Sequence, residues 1–211
     1  MEIDAFILIG GRSSRLGTDK AFVELDGKTL AIRAAETVES AMSPARLKFV
    51  ISTGDQFGAD LLFRLGRPVV TDLRPGFGAW SGLDTALGYA MSEWCLVLAC
   101  DLPFVTVEFL RLLSSLATDE IDAVVPRQID GRLQPLCAIY RSTPLRAIVG
   151  EIFTGKNSVP PIASIFDRLK TRIVEPYEYA NLAGAEKMFL NINTETDLAA
   201  AFACTGQPES T

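Results

Sequence analysis

Residues 3–20 read IDAFILIGGRSSRLGTDK, a short apolar run that breaks into glycines, hydroxyls and basic side chains. The run Ala5-Phe6-Ile7-Leu8-Ile9 lies between Asp4 and a glycine pair, short and β-branched enough to predict a buried strand rather than a helix. Gly10 and Gly11 end it. Without side chains the backbone there can turn through positive φ and bring successive N–H groups close to an anion. Ser13 and Ser14 add donors, and Arg12, Arg15 and Lys20 place three positive charges within nine residues, opposed only by Asp19. Such a loop suits a polyphosphate, although the same residues could form an ordinary basic surface turn. Five residues separate Gly11 from Gly17, and Thr18 follows, so the spacing of a Walker loop is absent; no G-x-G-x-x-G occurs either.

Composition narrows the chemistry. At 211 residues, 48% hydrophobic and 22% charged, the chain can bury one sizeable core, and a single domain over 1–204 with a flexible tail over 205–211 is expected. The longest apolar run, Trp94 to Cys100, is far below the ~18 residues of a membrane span. The start MEIDAF lacks a basic leader region, so no membrane partner and a cytoplasmic location are expected. Cys95, Cys100, Cys137 and Cys204 form no C-x-x-C pair and read as reduced thiols, mostly filling the core. The chain has no histidine, which removes Ser-His-Asp triads, imidazole bases and His-ligated metals. Carboxylates, lysine, arginine or an oxygen-held metal must do the work. A net charge of −6 argues against nucleic acid as a partner, so any anion site is local.

Beyond the loop, strands and helices alternate. Thr29 is placed to cap a helix to about Met42, Lys48–Thr53 and Pro68–Asp72 read as strands, and Asp60–Leu65 reads as part of a helix. A glycine-rich loop over 74–82 leads to a helix from about Leu83 to Met91. Trp94–Cys100 is apolar throughout, as a central strand covered on both faces should be. Helices over 106–117 and 144–152, strands over 123–126 and 131–140, a helix opened by Pro160-Pro161 and a strand at Arg172–Val174 follow. The alternation predicts a mainly parallel sheet covered on both faces. Asp101 then stands at the carboxyl end of the central strand, where ligands of open α/β sheets bind, and offers a hard oxygen suited to Mg²⁺. Its alternative role is to cap the next helix, for which Thr106 is better placed.

The string G-G-x-S-x-R-L-G-x-D-K at 10–20 resembles the signature of the molybdenum cofactor guanylyltransferases and, more widely, of nucleotidyltransferases similar to MobA. Four further stretches carry the resemblance in family order. Asp72, Pro75, Gly76, Gly78, Gly82 and Leu83 match D-x-x-P-G-x-G-P-L-A-G-L, with C-D-L-P at 100–103. Gln134–Tyr140 resembles Q-P-L-C-A-L-Y, and Phe189–Leu198 resembles F-x-N-I-N-T-P-E-D-L. The departure is Ala79-Trp80-Ser81 in place of Pro-Leu-Ala, where Trp80 is expected to narrow or cover the site; Ser52-Thr53-Gly54-Asp55 offers no clean match to the family's asparagine.

The resemblance implies a three-layer α/β sandwich of Rossmann-like type, its mainly parallel sheet containing an antiparallel strand, and transfer of GMP from GTP to molybdopterin or its molybdenum-loaded form, with release of pyrophosphate. It implies nucleotide contacts from Leu8, Ile9, Gly10, Gly11, Lys20, Asp72 and Asp101, and assigns Arg15 to the leaving pyrophosphate and Lys20 to the α-phosphate. It further implies Mg²⁺ on Asp101, acceptor contacts from Gln134, Asn191 and Asn193, and partners among molybdenum-cofactor biosynthesis and molybdoenzyme-maturation proteins. A phosphate nucleophile needs no general base, which agrees with the missing histidine. Three other readings stay open on the sequence: a related nucleotidyltransferase with another base or acceptor, such as cytidylyl transfer to molybdopterin or transfer to a sugar phosphate; a nucleotide-binding or adaptor protein without turnover; and a flavodoxin-like binding protein, whose phosphate loop would lack Mg²⁺ ligands.

Overall fold

The computed structural model describes residues 2–9, 20–51, 65–154 and 159–205. Its strands are β1 (Ile3–Leu8), β2 (Glu24–Leu25), β3 (Lys28–Thr29), β4 (Arg46–Ile51), β5 (Val69–Thr71), β6 (Trp94–Ala99), β7 (Ala123–Pro126), β8 (Cys137–Arg141) and β9 (Thr171–Val174). Its α-helices are α1 (Leu30–Met42), α2 (Ala79–Tyr89), α3 (Val107–Ser115), α4 (Ser142–Phe153), α5 (Pro176–Tyr179) and α6 (Glu195–Thr205).

Seven strands form one sheet in the order β5-β4-β1-β6-β8-β7-β9, and β2 and β3 make a small hairpin of their own. β1 pairs in parallel with β4 and β6, β4 with β5, and β7 with β9. Only β8, between β6 and β7, runs antiparallel to its neighbours. The expected mainly parallel sheet with an antiparallel strand is therefore what the chain builds.

Side-chain alternation along β1 divides the core. Ile3, Ala5 and Ile7 pack against Ala31, Ala34, Ala35 and Val38 of α1 and Phe109, Leu110 and Leu113 of α3. Phe6 and Leu8 face the other way, toward Trp80, Leu83 and Leu87 of α2 and Leu145 and Val149 of α4. Successive strand residues point to opposite faces, so an uninterrupted apolar run signals a sheet covered by helices on both sides. A third cluster seats the β2–β3 hairpin on the C-terminal segment through Leu25, Leu30, Ile192 and Ala201. Asp26 and Gly27 both take positive φ, as a tight two-residue hairpin turn requires.

Several boundaries differ from the expectation for local physical reasons. β1 begins at Ile3, because Asp4 is a fully buried strand residue whose carboxylate accepts from the amides of Met91 at 2.7 Å and Ser92 at 2.9 Å and faces Arg46 at 3.2 Å. Helix α2 begins at Ala79 rather than Leu83, since Ala79-Trp80-Ser81 form its first turn. The stretch after Pro160-Pro161 is 3₁₀ over Ile162–Asp167 instead of α-helical. β8 starts only at Cys137; Gln134 belongs to the preceding turn, where the Cys137 amide donates back to its carbonyl at 3.1 Å. α6 runs one residue past Cys204, to Thr205. The helix expected over 60–65 falls outside the described residues except at Leu65, as do Ser52–Asp55 and residues 206–211 of the expected tail. Among the described residues no helix is long and apolar enough to cross a membrane.

Candidate active site

The strands β1, β4, β5 and β6 bring their carboxyl ends to one edge, and the hydrogen bonding continues just past them. Ile9 N–H donates to Val50 O at 2.9 Å, Asp72 N–H to Ile51 O at 2.9 Å, and Cys100 N–H to Leu8 O at 3.1 Å. These bonds hold the residues that leave the sheet in a fixed row. Around the row lies a cavity of about 230 Å³ among the described residues, lined by Leu8, Ile9, Lys20, Asp72, Asp101 and by Val50, Gly78, Ala79, Gly82, Ala99, Cys100 and Leu136.

Asp101 occupies the end of β6, the most central buried strand, and Lys20 reaches it from a single 3₁₀ turn, Lys20–Phe22. Their charged atoms are 3.3 Å apart, with the side chains 18% (Lys20) and 22% (Asp101) exposed. Burial pushes the Asp101 carboxyl above the ordinary aspartate range, against the downward pull of the Lys20 ammonium. Lys20 also donates to Asn193 Oδ1. Asn193 is itself fixed at the entry to α6: its amide and that of Thr194 both donate to Asp197 at 2.9 Å, while Thr194 Oγ1 accepts from Asp197 N–H at 3.1 Å. This reciprocal cap satisfies donors that a helix start leaves orphaned. Thr106, as expected, caps α3 by accepting from Phe109 N–H at 3.2 Å, which frees Asp101 from that role.

Asp72 is 6% exposed at the foot of the glycine-rich loop, so it is no solvated turn aspartate. That loop is pinned by hydroxyls of α2: Leu73 N–H donates to Thr85 Oγ1 at 2.9 Å and Phe77 N–H to Ser81 Oγ at 3.0 Å. Phe77 also meets Phe153 edge-on at 5.0 Å, and the Arg74 guanidinium lies 4.7 Å from the Phe153 ring centroid. Gly78 adopts φ 58° and ψ −130° at the start of α2, a conformation strained for any residue with a Cβ. The first turn of α2 then borders the cavity with the positive end of its dipole, favourable to phosphate.

Trp80 corrects the expectation that it narrows or covers the site. It is 3% exposed, packed in the core beside Leu83 and Leu87, and its Nε1–H donates to Pro160 O at 2.7 Å. The small Ala79 lines the cavity instead. Ala79-Trp80-Ser81 thus replaces a rigid proline turn with a hydroxyl that accepts from the loop and an indole that anchors the helix.

Leu8, Ile9, Lys20, Asp72 and Asp101 therefore meet in one cavity, and Asn193 joins them through Lys20. Gly10, Gly11 and Arg15 lie outside the described residues. Asn191 is exposed on the same extended segment as Asn193, whose Ile192 N–H donates to Asp101 O at 3.0 Å. Gln134 does not line the cavity; its N–H donates to Pro126 O at 3.0 Å, at the end of β7. Gly78, Gly82, Cys100 and Leu136 line it although the sequence does not single them out for it. Gly78 and Gly82 have a signal in their motif. Cys100 reads as core filling, and Leu136 reaches the cavity only because Ala99 N–H donates to its carbonyl at 2.7 Å across an antiparallel pair.

Hard oxygens suit Mg²⁺, which commonly takes one or two protein carboxylates and completes its shell with phosphates and water. Asp101 and Asp72 on one cavity fit that requirement. Among the described residues no cluster of three or more acidic or thiol ligands forms a closed protein cage.

A probable molybdenum cofactor guanylyltransferase of Pelotomaculum thermopropionicum is 33% identical over 201 residues, covering 95% of this chain and 92% of that protein. The solved structure of molybdopterin-guanine dinucleotide biosynthesis protein A from Archaeoglobus fulgidus superposes with a TM-score of 0.73 at 28% identity, covering 97% of this chain and all of that one. A 2-C-methyl-D-erythritol 4-phosphate cytidylyltransferase from Thermus thermophilus has a TM-score of 0.66 at 17% identity over 96% of this chain and 98% of its own, a likeness of fold alone. The MobA-like NTP transferase domain matches residues 5–165, so a sheet that gathers Lys20, Asp72 and Asp101 at its carboxyl edge is here the frame of a member: the chain belongs to the MobA-like NTP transferase family.

Proposed function

We propose that this protein transfers GMP from GTP to the terminal phosphate of molybdopterin, or of its molybdenum-loaded form, releasing pyrophosphate. The observation that carries the reading is the placement of Lys20 against both Asp101 and Asn193 at the carboxyl edge of the sheet. Relatives that cover nearly the whole chain bear the name molybdenum cofactor guanylyltransferase, which supports the choice of base and acceptor.

The acceptor phosphate is already anionic and attacks the α-phosphorus directly, so the site needs charge placement rather than a base. Lys20 sits where it can take up charge on the α-phosphoryl oxygens; a fixed ammonium in a partly dry site is worth more as that charge grows. Asn193 and Asp101 hold the ammonium in place before substrate arrives. The Ile192–Asp101 hydrogen bond keeps the acceptor segment beside the reacting centre. We assign Mg²⁺ to Asp101, with Asp72 close by; when bound, the ion neutralises phosphate charge and helps pyrophosphate leave. Arg15 we assign to the pyrophosphate from its place in the family motif.

The deciding experiment measures pyrophosphate release with GTP, ATP, CTP and UTP in turn, with and without molybdopterin and Mg²⁺. Release that requires GTP and molybdopterin together is expected. Preference for CTP, or release independent of molybdopterin, overturns the assignment.

A further inference from the structure

We infer that a second cavity, bounded by Gln128, Tyr179, Ala185, Glu186, Phe189 and Leu190, receives the pterin ring system of the acceptor, while its phosphate lies at Lys20. This rests on the acceptor proposed above and locates the half of it that does not react. The cavity measures about 380 Å³, within the range of small-molecule sites.

Its position follows from the topology. β7 runs in the same direction as β6, with the antiparallel β8 between them, so Gln128 leaves the same edge of the sheet as Asp101. Two strand spacings separate them, or about 10 Å. Two chain segments bridge that gap. Leu190 lines the second cavity, Ile192 bonds to the Asp101 carbonyl, and Asn193 meets Lys20, so the extended stretch from Leu190 to Asn193 spans the distance at ~3.3 Å per residue. On the other side Leu136 lines the nucleotide cavity, and Gln134 bonds to Pro126 next to the loop that carries Gln128. Asn191 and Gln134 lie on these two bridging segments.

An acceptor that carries a phosphate at one end and a flat heterocycle at the other can occupy two neighbouring cavities of this kind. The chemistry of the lining matches as well. Phe189, half-buried, offers apolar ring surface for a planar ligand, and the buried Tyr179 backs it edge-to-face at 5.8 Å. At the exposed rim, a carboxylate can accept the paired N–H donors of a 2-amino-4-oxopyrimidine edge. Asp130 is already held by Arg132 at 2.6 Å, which leaves that task to Glu186.

The test uses the full-length protein, GTP, Mg²⁺ and molybdopterin, with the variants Glu186→Gln and Ala185→Trp, the second filling the cavity. Both should raise the KM for molybdopterin about tenfold or more, with kcat at saturating acceptor and the GTP-induced thermal shift unchanged. Glu186 is exposed, so its variant decides the matter even if Ala185→Trp fails to fold. An unchanged acceptor KM in a folded variant, or a loss of GTP binding in parallel, overturns the inference. Absence of any transfer to molybdopterin by the unaltered protein instead overturns the functional reading, and with it this occupant.

Discussion

The Lys20 ammonium lies 3.3 Å from the Asp101 carboxylate, a contact across 81 positions of sequence that joins the turn after β1 to the end of β6. Both side chains are mostly shielded, so the pair is screened less than a surface ion pair. Asn193 completes the arrangement from a third part of the chain.

Lys20→Ala should lower turnover by about 10²-fold to 10³-fold, the usual effect of removing one preorganised charge partner of a transition state. GTP affinity should fall by less. Single-turnover rates and GTP titrations on the same protein separate the two, and an unchanged rate would remove Lys20 from the mechanism.

Asp101→Asn should abolish most Mg²⁺-dependent turnover yet leave a fold at least as stable at pH 7. The sign follows from a raised carboxyl pKa. Stability from the protonated form is fully present below the unfolded value near 3.8 and is lost as pH rises through the folded value, so the ionised carboxylate is a burden at neutral pH. The variant should escape that loss. Urea midpoints of both proteins at pH 7 and pH 4 test this, with the variant's advantage shrinking at the lower pH.

Most of the sheet is legible in the sequence because apolar runs such as Trp94–Ala99 have few alternatives in a chain of this size. Thr29 and Thr106 mark helix starts through a local hydrogen bond, which is why those two boundaries match closely. That Lys20, Asp72 and Asp101 come to one cavity can be read because short motifs carry them. What cannot be read depends on contacts distant in sequence. Asp4 reads as a boundary, since nothing local shows that Met91, Ser92 and Arg46 satisfy its carboxylate. Trp80 reads as an obstruction because the helix register that buries it is set by packing against β1 and by Pro160.

Asp4→Asn should destabilise the fold by about 2–3 kcal/mol at pH 7, because an amide cannot accept both backbone N–H groups and face Arg46 as a carboxylate does. Burial alone would raise this carboxyl's pKa, but the hydrogen bonds from Ser92, Met91 and Arg46 outweigh it and hold the value low. A depressed pKa contributes stability above the unfolded value near 3.8 and loses it as pH falls through the folded value. The difference between the two proteins in urea should therefore narrow as the pH falls below 3.8. A constant difference across that range would mean that the carboxylate's ionisation does not matter.

Gly82→Ala tests how tightly α2 is seated against the cavity at the carboxyl edge of the sheet. A Cβ at Gly82 would lie 2.9 Å from Leu8 Cδ1 and 3.1 Å from Cδ2, closer than side chains normally tolerate. Leu8 and Gly82 both line the cavity, so the strain can be relieved in two ways: the helix retreats, or Leu8 turns into the cavity. Overpacking of this kind costs roughly 1–3 kcal/mol. Retreat would appear as lost stability with GTP affinity preserved. The cavity side is the open one, whereas Leu83 and Leu87 of the same helix are packed with Phe6 and Val97 of the sheet, which resists its retreat. We therefore expect a small change in the urea midpoint and a GTP affinity at least tenfold weaker, with Leu8→Ala in the same chain recovering much of the lost affinity. If the double variant binds GTP no better than Gly82→Ala alone, the Leu8 side chain is not what fills the site.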